Sequence, residues 1–438
     1  MIQAVLDDAV CGPETRRAVR WIDTGDHVLF RGRIGASRNG TPSLIVESWE
    51  MLSKCLHPIP FDSFTDPEAR LRRRSMDLIV NPAESHRLRI RSATIRSIRR
   101  TLDAHNFLEV ETPMLNTVHG GASARPFKTF INAYGVDLTL RIAPELYLKR
   151  LVVGDMGPVY ELGRDFRNEG ADATHNPEFT VLEAYQPYAD YNVMRELTER
   201  LLKNAAREVF GEEVLPLRLG EDPKDPRQEA VLTDVSGPWP VVSVCDALSE
   251  AVGQRIDLET NFEELLGLAR QHEIHVRDDM GPGAVIEELY GELVEAKTSR
   301  PTFYKDFPVE TSPLAGPHRS EPGLAERWDL VINGTEMGTA YSEMADALEQ
   351  RRRLTEQSLK AAAGDLEAMQ IDEDFLDALE TGLPPTGGMG IGIDRLIMML
   401  TGAPIRGVLA FPFVRPGSTP RLKSAPRKVS GPDSASVE

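Results

Sequence analysis

Residues 164–185 read RDFRNEGADATHNPEFTVLEAY. An extended run, VYELG at 159–163, leads to the polar turn Arg167-Asn168-Glu169-Gly170, and FTVLEAYQPY (179–188) is its antiparallel return. Side chains alternate between the faces of a strand, so Phe179, Val181, Glu183 and Tyr185 share one face. A carboxylate repeated among aromatics is not ordinary packing, because a buried carboxylate needs a paired charge or hydrogen bonds. The plain alternative is a surface hairpin with an exposed polar face.

Outward from this hairpin, WDLVING (328–334) and EMGTAYSE (336–343) are two further strand-like runs carrying Asp329, Glu336 and Glu343. Oxygen-only ligands of this kind suit Mg²⁺, which prefers carboxylates together with substrate phosphates. Taken singly, each reads as a solvated carboxylate. GGMGIGIDRLIMMLTG (387–402) reads as a glycine-rich turn entering an apolar helix. Glycine lets a ligand approach the backbone closely, and Arg395 at the helix start can hold phosphate. The run is not a phosphate-cradling P-loop, since no Gly-Lys-Ser/Thr follows. Toward the N-terminus, VDLTLRI predicts a strand and APELYLKRLVV a helix, and 84–106 keeps helical spacing through Leu88, Ile90, Ile95, Ile98 and Leu102. FLEVETPML (107–115) then turns extended at Pro113.

The 438 residues are enough for a large core and two or three domains. HVLFRGRI (27–34) and SLIVESWEML (43–52) flank Asn39-Gly40, a hairpin signal, so 1–60 read as a small β unit. Residues 61–83 read as a charged linker, 84–415 as the main domain and 416–438, rich in Ser, Pro and Lys, as a disordered tail. No apolar run approaches the ~18–20 residues that cross a bilayer. The first residues lack the form of a signal peptide, and three scattered cysteines make neither a disulfide framework nor a zinc site, so a cytoplasmic location is expected. A net charge of −18 argues against non-specific coating of nucleic acid. Two arginine runs, Arg70, Arg72, Arg73, Arg74 and Arg87, Arg89, Arg91, Arg96, Arg99, Arg100, read as solvated faces or internal ion pairs.

Together these stretches resemble the three signature motifs of a class II aminoacyl-tRNA synthetase, and the lysine-specific enzyme in particular. Helix 84–106 with FLEVETPML resembles motif 1, FRNEG…HNPEFTVLEAY motif 2, and GIGIDRL motif 3. GGASARPF (120–127), RIAPELYLKRLVVG (141–154), RPTFYKDFP (300–308) and SEMADALEQ (342–350) are similar to the lysyl enzyme itself. The resemblance implies an α/β (α+β) catalytic domain, an antiparallel sheet flanked by helices, beside a partial N-terminal OB-like unit. It implies a ligase that forms lysyl-adenylate from lysine and ATP with Mg²⁺, then charges tRNA for protein biosynthesis, and a homodimer built through motif 1 with no membrane partner. Arg167 would contact the α-phosphate and the amino-acid carboxylate; Glu169 and His175 would hold ATP; Phe179 would stack on adenine, with Arg395 on its opposite face. Asp329 and Glu336 would bind Mg²⁺. Gly121 and Glu145 would hold the lysine α-amino group, and Glu183, Tyr185 and Glu343 its ε-ammonium.

The sequence departs from that pattern in places. Where lysyl enzymes have Glu-x-Gly-Asn-Gly-Phe-Ser-Glu, this chain has Glu-Met-Gly-Thr-Ala-Tyr-Ser-Glu; the resemblance implies that Thr339, in place of a substrate-contacting amide, and Tyr341 would line the amino-acid pocket, and Ala340 replaces a glycine. Asp329 is one methylene shorter than the usual glutamate. The N-terminal unit lacks the opening strands of a five-stranded OB-fold, from which tRNA charging nearly indifferent to the anticodon is expected. Two further readings stand beside lysyl-tRNA synthesis: a shortened paralogue passing activated lysine to a non-tRNA acceptor, and a catalytically silent relative. Intact Arg167, Glu169, Glu336 and Arg395 argue against the last.

Overall fold

A computed structural model describes residues 2–417 except 62, 221, 226, 363, 365 and 366. Of the expected tail at 416–438, residues 418–438 lie outside the described residues. The chain divides into two units, one of residues up to 82 with those from 414, the other 83–413.

In the first unit, β1 (Gln3–Leu6) and a helix α1 (Asp8–Ala18), interrupted at Gly12, precede the hairpin strands β2 (His27–Ala36) and β3 (Pro42–Ser53). The sheet order is β1-β3-β2, with β1 parallel to β3. The Asn39-Gly40 hairpin is as expected, whereas β1 and α1 have no clear sequence pattern. The expected linker at 61–83 is instead two short helices, α2 (Pro67–Arg72) and α3 (Arg74–Val80). Their order comes from charge: Asp77 takes Arg70 Nε at 2.6 Å and Arg74 Nη1 at 2.5 Å, so the first arginine run is partly internal ion pairs.

The second unit begins with α4 (Pro82–Ala104), β4 (Leu108–Glu109), β5 (Leu115–Asn116), β6 (Lys128–Ile131), β7 (Val136–Leu140) and α5 (Glu145–Val153). The hairpin β8 (Val159–Phe166) and β9 (Glu178–Pro187) follows, then α6 (Tyr191–Phe210), β10 (Val214–Leu217), β11 (Val231–Asp234) and β12 (Val241–Ser243). Next come α7 (Val244–Val252), α8 (Phe262–Gln271), α9 (Pro282–Leu293), β13 (Thr302–Pro308), β14 (Leu324–Ile332) and β15 (Thr335–Ser342). The chain closes with α10 (Ala347–Ala362), α11 (Glu373–Gly382), β16 (Thr386–Gly392), α12 (Ile393–Thr401) and α13 (Ile405–Val408).

Eight strands make one sheet in the order β12-β13-β14-β15-β16-β9-β8-β4. Its six central strands are antiparallel, and each edge strand is added in parallel. The expected antiparallel sheet is therefore mixed at its edges. The glycine-rich run 386–392, expected as a turn, is the strand β16 between β15 and β9. Its even-numbered glycines alternate with Met389 and Ile391, which are buried in the core under the sheet.

α6 shows how sequence fixes a helix here. Asp190 accepts hydrogen bonds from Asn192 N and Val193 N at its start, and Gly211 ends it in the left-handed region. Tyr191, Met194, Leu197, Thr198, Leu201, Leu202 and Ala205 form its buried stripe. Below the sheet, Phe303 and Trp328 meet edge-to-face at 4.9 Å, a contact that adds about 1 kcal/mol to their burial.

Candidate active site

Strand register gathers the candidate residues on the other face of the sheet. Across neighbouring strands, Glu161, Glu183, Gly390, Thr339 and Asp329 lie in one row, and Val159, Tyr185, Gly388, Tyr341 and Arg327 in the next. Residues paired in this way share a face. The face floors a cavity of about 560 Å³, lined among others by Gly121, Glu145, Arg167, Glu169, His175 and Phe179. Glu183, Tyr185, Glu336, Thr339, Tyr341, Glu343 and Arg395 line it too. Of the candidates, Asp329 alone does not.

Glycines make the room. A Cβ at Gly388 would sit 2.0 Å from Glu343 Oε1 and 2.5 Å from the Tyr185 ring, and one at Gly163 would sit 2.2 Å from Arg141 Nη2. A side chain at Gly388 would therefore crowd the Glu343 carboxylate and the Tyr185 ring out of their places.

One end is dense in carboxylates. Tyr185 donates to Glu183 Oε2 at 3.1 Å, and no lysine or arginine pairs with Glu183 among the described residues. Burial, followed by the charges of Asp165 and Glu145, holds the Glu183 carboxyl well above the usual carboxylate range. Glu145 and Glu343 are buried and share one cation: Lys149 Nζ lies 2.6 Å from Glu145 Oε1 and 2.5 Å from Glu343 Oε2. Burial nevertheless pushes Glu343 up to about 8, with Lys149 opposing and Glu145 adding to the shift. Arg141, without solvent exposure, reaches Glu161 at 2.6 Å and Asp165 at 3.1 Å. Asp165 is pushed up to about 6, by burial first, against Arg141 and Arg167. Gly121 holds a positive φ of 85° beside Ala143 and Glu145.

The other end is open and cationic. The Arg167 guanidinium lies over the Phe179 ring, 5.1 Å from its centroid. Arg395 donates to the Glu336 carbonyl at 3.0 Å and lies 4.0 Å from its carboxylate. Glu169 and His175 are exposed, and His175 Nδ1 lies 3.0 Å from Asp172 Oδ2. Thr339 donates its hydroxyl to the Trp328 carbonyl at 3.1 Å. Burial, together with the charge of Asp329, raises the Glu336 carboxyl. Arg327 grips Asp329 through Nε at 3.1 Å and Nη2 at 2.7 Å, and also meets Glu287 at 3.0 Å. Among the described residues no group of three or more His, Cys, Asp and Glu is arranged for a metal. Glu336 lines the cavity and fits a Mg²⁺ held chiefly by substrate phosphates, whereas Asp329 does not line it and has both oxygens held by Arg327.

At the cavity wall, Asp394 accepts from Thr180 N at 2.8 Å and pairs with Arg91 of α4, which also donates to Thr180 Oγ1 at 2.8 Å. This fixes the start of α12 and hence Arg395.

The sequence profile of tRNA synthetases class II (D, K and N) matches residues 66–415. The chain belongs to this family. Among its relatives are proteins named "Lysylphosphatidylglycerol biosynthesis bifunctional protein LysX". That of Mycobacterium marinum is 53% identical over 420 residues, 95% of this chain and 37% of the relative. That of Mycobacterium avium is 55% identical over 397 residues, 90% of this chain and 33% of the relative. That of Mycobacterium tuberculosis H37Rv is 51% identical over 422 residues, 95% of this chain and 36% of the relative. The chain spans about a third of the length of these relatives. Membership supports a ligase-type, ATP-using enzyme, and no helix among the described residues is long and apolar enough to cross a membrane.

Within this class II family member, the sequence reading missed Lys149, Arg141, Asp165, Arg327, Arg91 and Asp394. Lys149 and Arg141 lie in the quoted stretch 141–154, but nothing local marks a lysine or arginine as buried.

Proposed function

We propose that the chain activates L-lysine as lysyl-adenylate and supplies the lysyl group to lysylphosphatidylglycerol synthesis rather than to protein synthesis. The observation that carries the lysine reading is Glu183, a carboxylate at the cavity floor with no internal cation, beside Glu145 and Glu343. An incoming ammonium is the group that neutralises it. Gly121 and Glu145 receive the α-amino group, and Glu183, Tyr185, Tyr341 and Glu343 the ε-ammonium. Thr339 stands at the wall between them, its hydroxyl turned to the backbone.

Arg167 and Arg395 face the triphosphate, Phe179 offers its ring to adenine, and Glu169 and His175 border the nucleotide. A lysine carboxylate oxygen attacks the α-phosphorus, the bond to the β-phosphate oxygen breaks, and pyrophosphate leaves. No side chain needs to act as nucleophile or base, because the carboxylate is already ionised; alignment and charge stabilisation carry the reaction. A Mg²⁺ would be held by Glu336 and the substrate phosphates, with Asp329 joining only if Arg327 released it, and would neutralise phosphate charge.

The relatives' printed name favours a lipid hydroxyl as the final acceptor, and its word "bifunctional" fits a synthetase third joined to other chemistry. The family itself favours a second reading, in which tRNA is the direct acceptor. The test starts with lysine-dependent exchange of pyrophosphate into ATP. Radiolabelled lysine is then offered with lysine tRNA transcripts, with phosphatidylglycerol vesicles, and with both. Label on lipid without tRNA supports a direct non-tRNA acceptor. Label on tRNA alone, lost when the anticodon is changed, supports ordinary tRNA charging. No exchange with any amino acid sinks the activating role. We also propose a homodimer through α4 and the segment around Pro113, checked by light scattering; a monomeric mass would refute it.

A further inference from the structure

Lys149 stands four residues after Glu145, on the buried face of α5, with no solvent exposure. It does not line the cavity, whereas both of its partners do. It takes Oε1 of Glu145 and Oε2 of Glu343, and Glu343 Oε1 is left facing the space that Gly388 keeps open. One fixed cation thus holds two carboxylates that come from different elements.

We propose that Lys149 is a positioning residue for amino-acid specificity: from behind the wall it aims Glu145 and Glu343 into the cavity and leaves Glu183, which has no internal cation, to meet the incoming ammonium. The inference rests on the lysine reading given above. Without Lys149, two buried carboxylates would face each other with no cation between them. Glu343, which Lys149 draws toward its ionised form against burial, would hold its proton more tightly and yield it less readily to an ammonium, or both side chains would turn away. The bland alternative is that Lys149 merely fills space. The two differ in what a substitution must preserve, charge or shape.

The experiment compares K149M, which keeps the shape, with K149R, which keeps the charge. Readouts are lysine-dependent pyrophosphate exchange and the preference for lysine over 6-hydroxynorleucine, a neutral isostere. K149M is expected to raise the lysine KM about a hundredfold, since it strands a buried charge pair. Its ATP KM and its kcat at saturating lysine should stay within about threefold, because a ground-state ammonium contact is what is lost. Its preference for lysine over the isostere should fall about tenfold or more. K149R should recover most of the loss. A folded K149M with lysine KM and preference like the unmodified chain overturns the proposal, as does K149R no better than K149M.

If K149M does not fold, K149M/E343Q, which removes one charge of each sign, is compared with E343Q alone. A lysine KM of the double variant within about twofold of that of E343Q supports coupling, and one about a hundredfold higher overturns it. An unmodified chain without lysine-dependent exchange takes down the lysine reading and this inference together. An active chain in which K149M is silent takes down the inference alone.

Discussion

The two ends of the cavity are built by different rules. At the carboxylate end Glu145, Lys149, Glu343, Arg141 and Asp165 are all buried and joined through short ion pairs. At the nucleotide end Glu169 and His175 are exposed, and Arg167 lies against the ring that would receive a base. Discrimination between small amino acids differing by one amine needs groups fixed in advance, because an unpaired buried charge is what rejects the wrong ligand. A triphosphate brings enough charge of its own to organise exposed side chains around it. The contrast teaches that rigidity is concentrated where the ligand is small.

Glu183→Gln attacks the dense end most directly. It should raise the lysine KM by the equivalent of about 2–4 kcal/mol, with ATP affinity little changed. Steady-state exchange kinetics decide it: an unaltered lysine KM would show that Glu183 does not seat the amine.

Arg91→Met tests whether the open end depends on a rigid part behind it. Breaking the buried pair with Asp394 should destabilise the fold by about 2–3 kcal/mol and weaken ATP more than lysine, because Asp394 precedes Arg395. Equal losses for both substrates, read by kinetics and urea melts, would mean that the pair has no preference for one end.

The dense end should also reveal itself through pH. Burial raises Glu343 from 4.5 to about 8, so the folded chain holds this proton more tightly than the unfolded chain does. Its contribution to stability is therefore present below 4.5 and is lost as pH rises toward about 8. A lysine ammonium takes the proton's place, so the rise in Tm caused by lysine should grow across that window, while the rise caused by ATP should not. Thermal melts at several pH values check this, and a lysine effect flat with pH would contradict it.

The mildest effect is expected from His175→Ala. Its side chain is half exposed, so Tm should be unchanged within error and the ATP KM should rise only about three- to tenfold. A large drop in Tm would show the open end to be as pre-built as the other.

Much of this was legible in the sequence where a period was strong. The β8–β9 hairpin with Glu183 and Tyr185 on one face follows from alternation alone, as does α4 from its helical spacing. β16 was not legible as a strand because glycine is a poor strand former and hides the alternation that Met389 and Ile391 carry. Residues 61–83 looked like a linker because arginine-rich composition suggests solvent, whereas Asp77 collects two of those arginines. Glu145 was legible only through family resemblance, Glu343 stood out in its strand-like run as a Mg²⁺ carboxylate but meets Lys149 instead, and Lys149 was not legible at all, since burial of a lysine depends on partners distant in the chain.

The glycine floor also bears on drug resistance. A side chain at Gly388 collides with Glu343 and Tyr185, and one at Gly338 would come within 2.5 Å of the Gly390 carbonyl. An inhibitor resting its weight on this backbone would meet a surface that point mutation cannot remodel without damaging the enzyme's own pocket. One relying on His175 or Glu169, exposed at the rim, would leave the cell an easy route of escape.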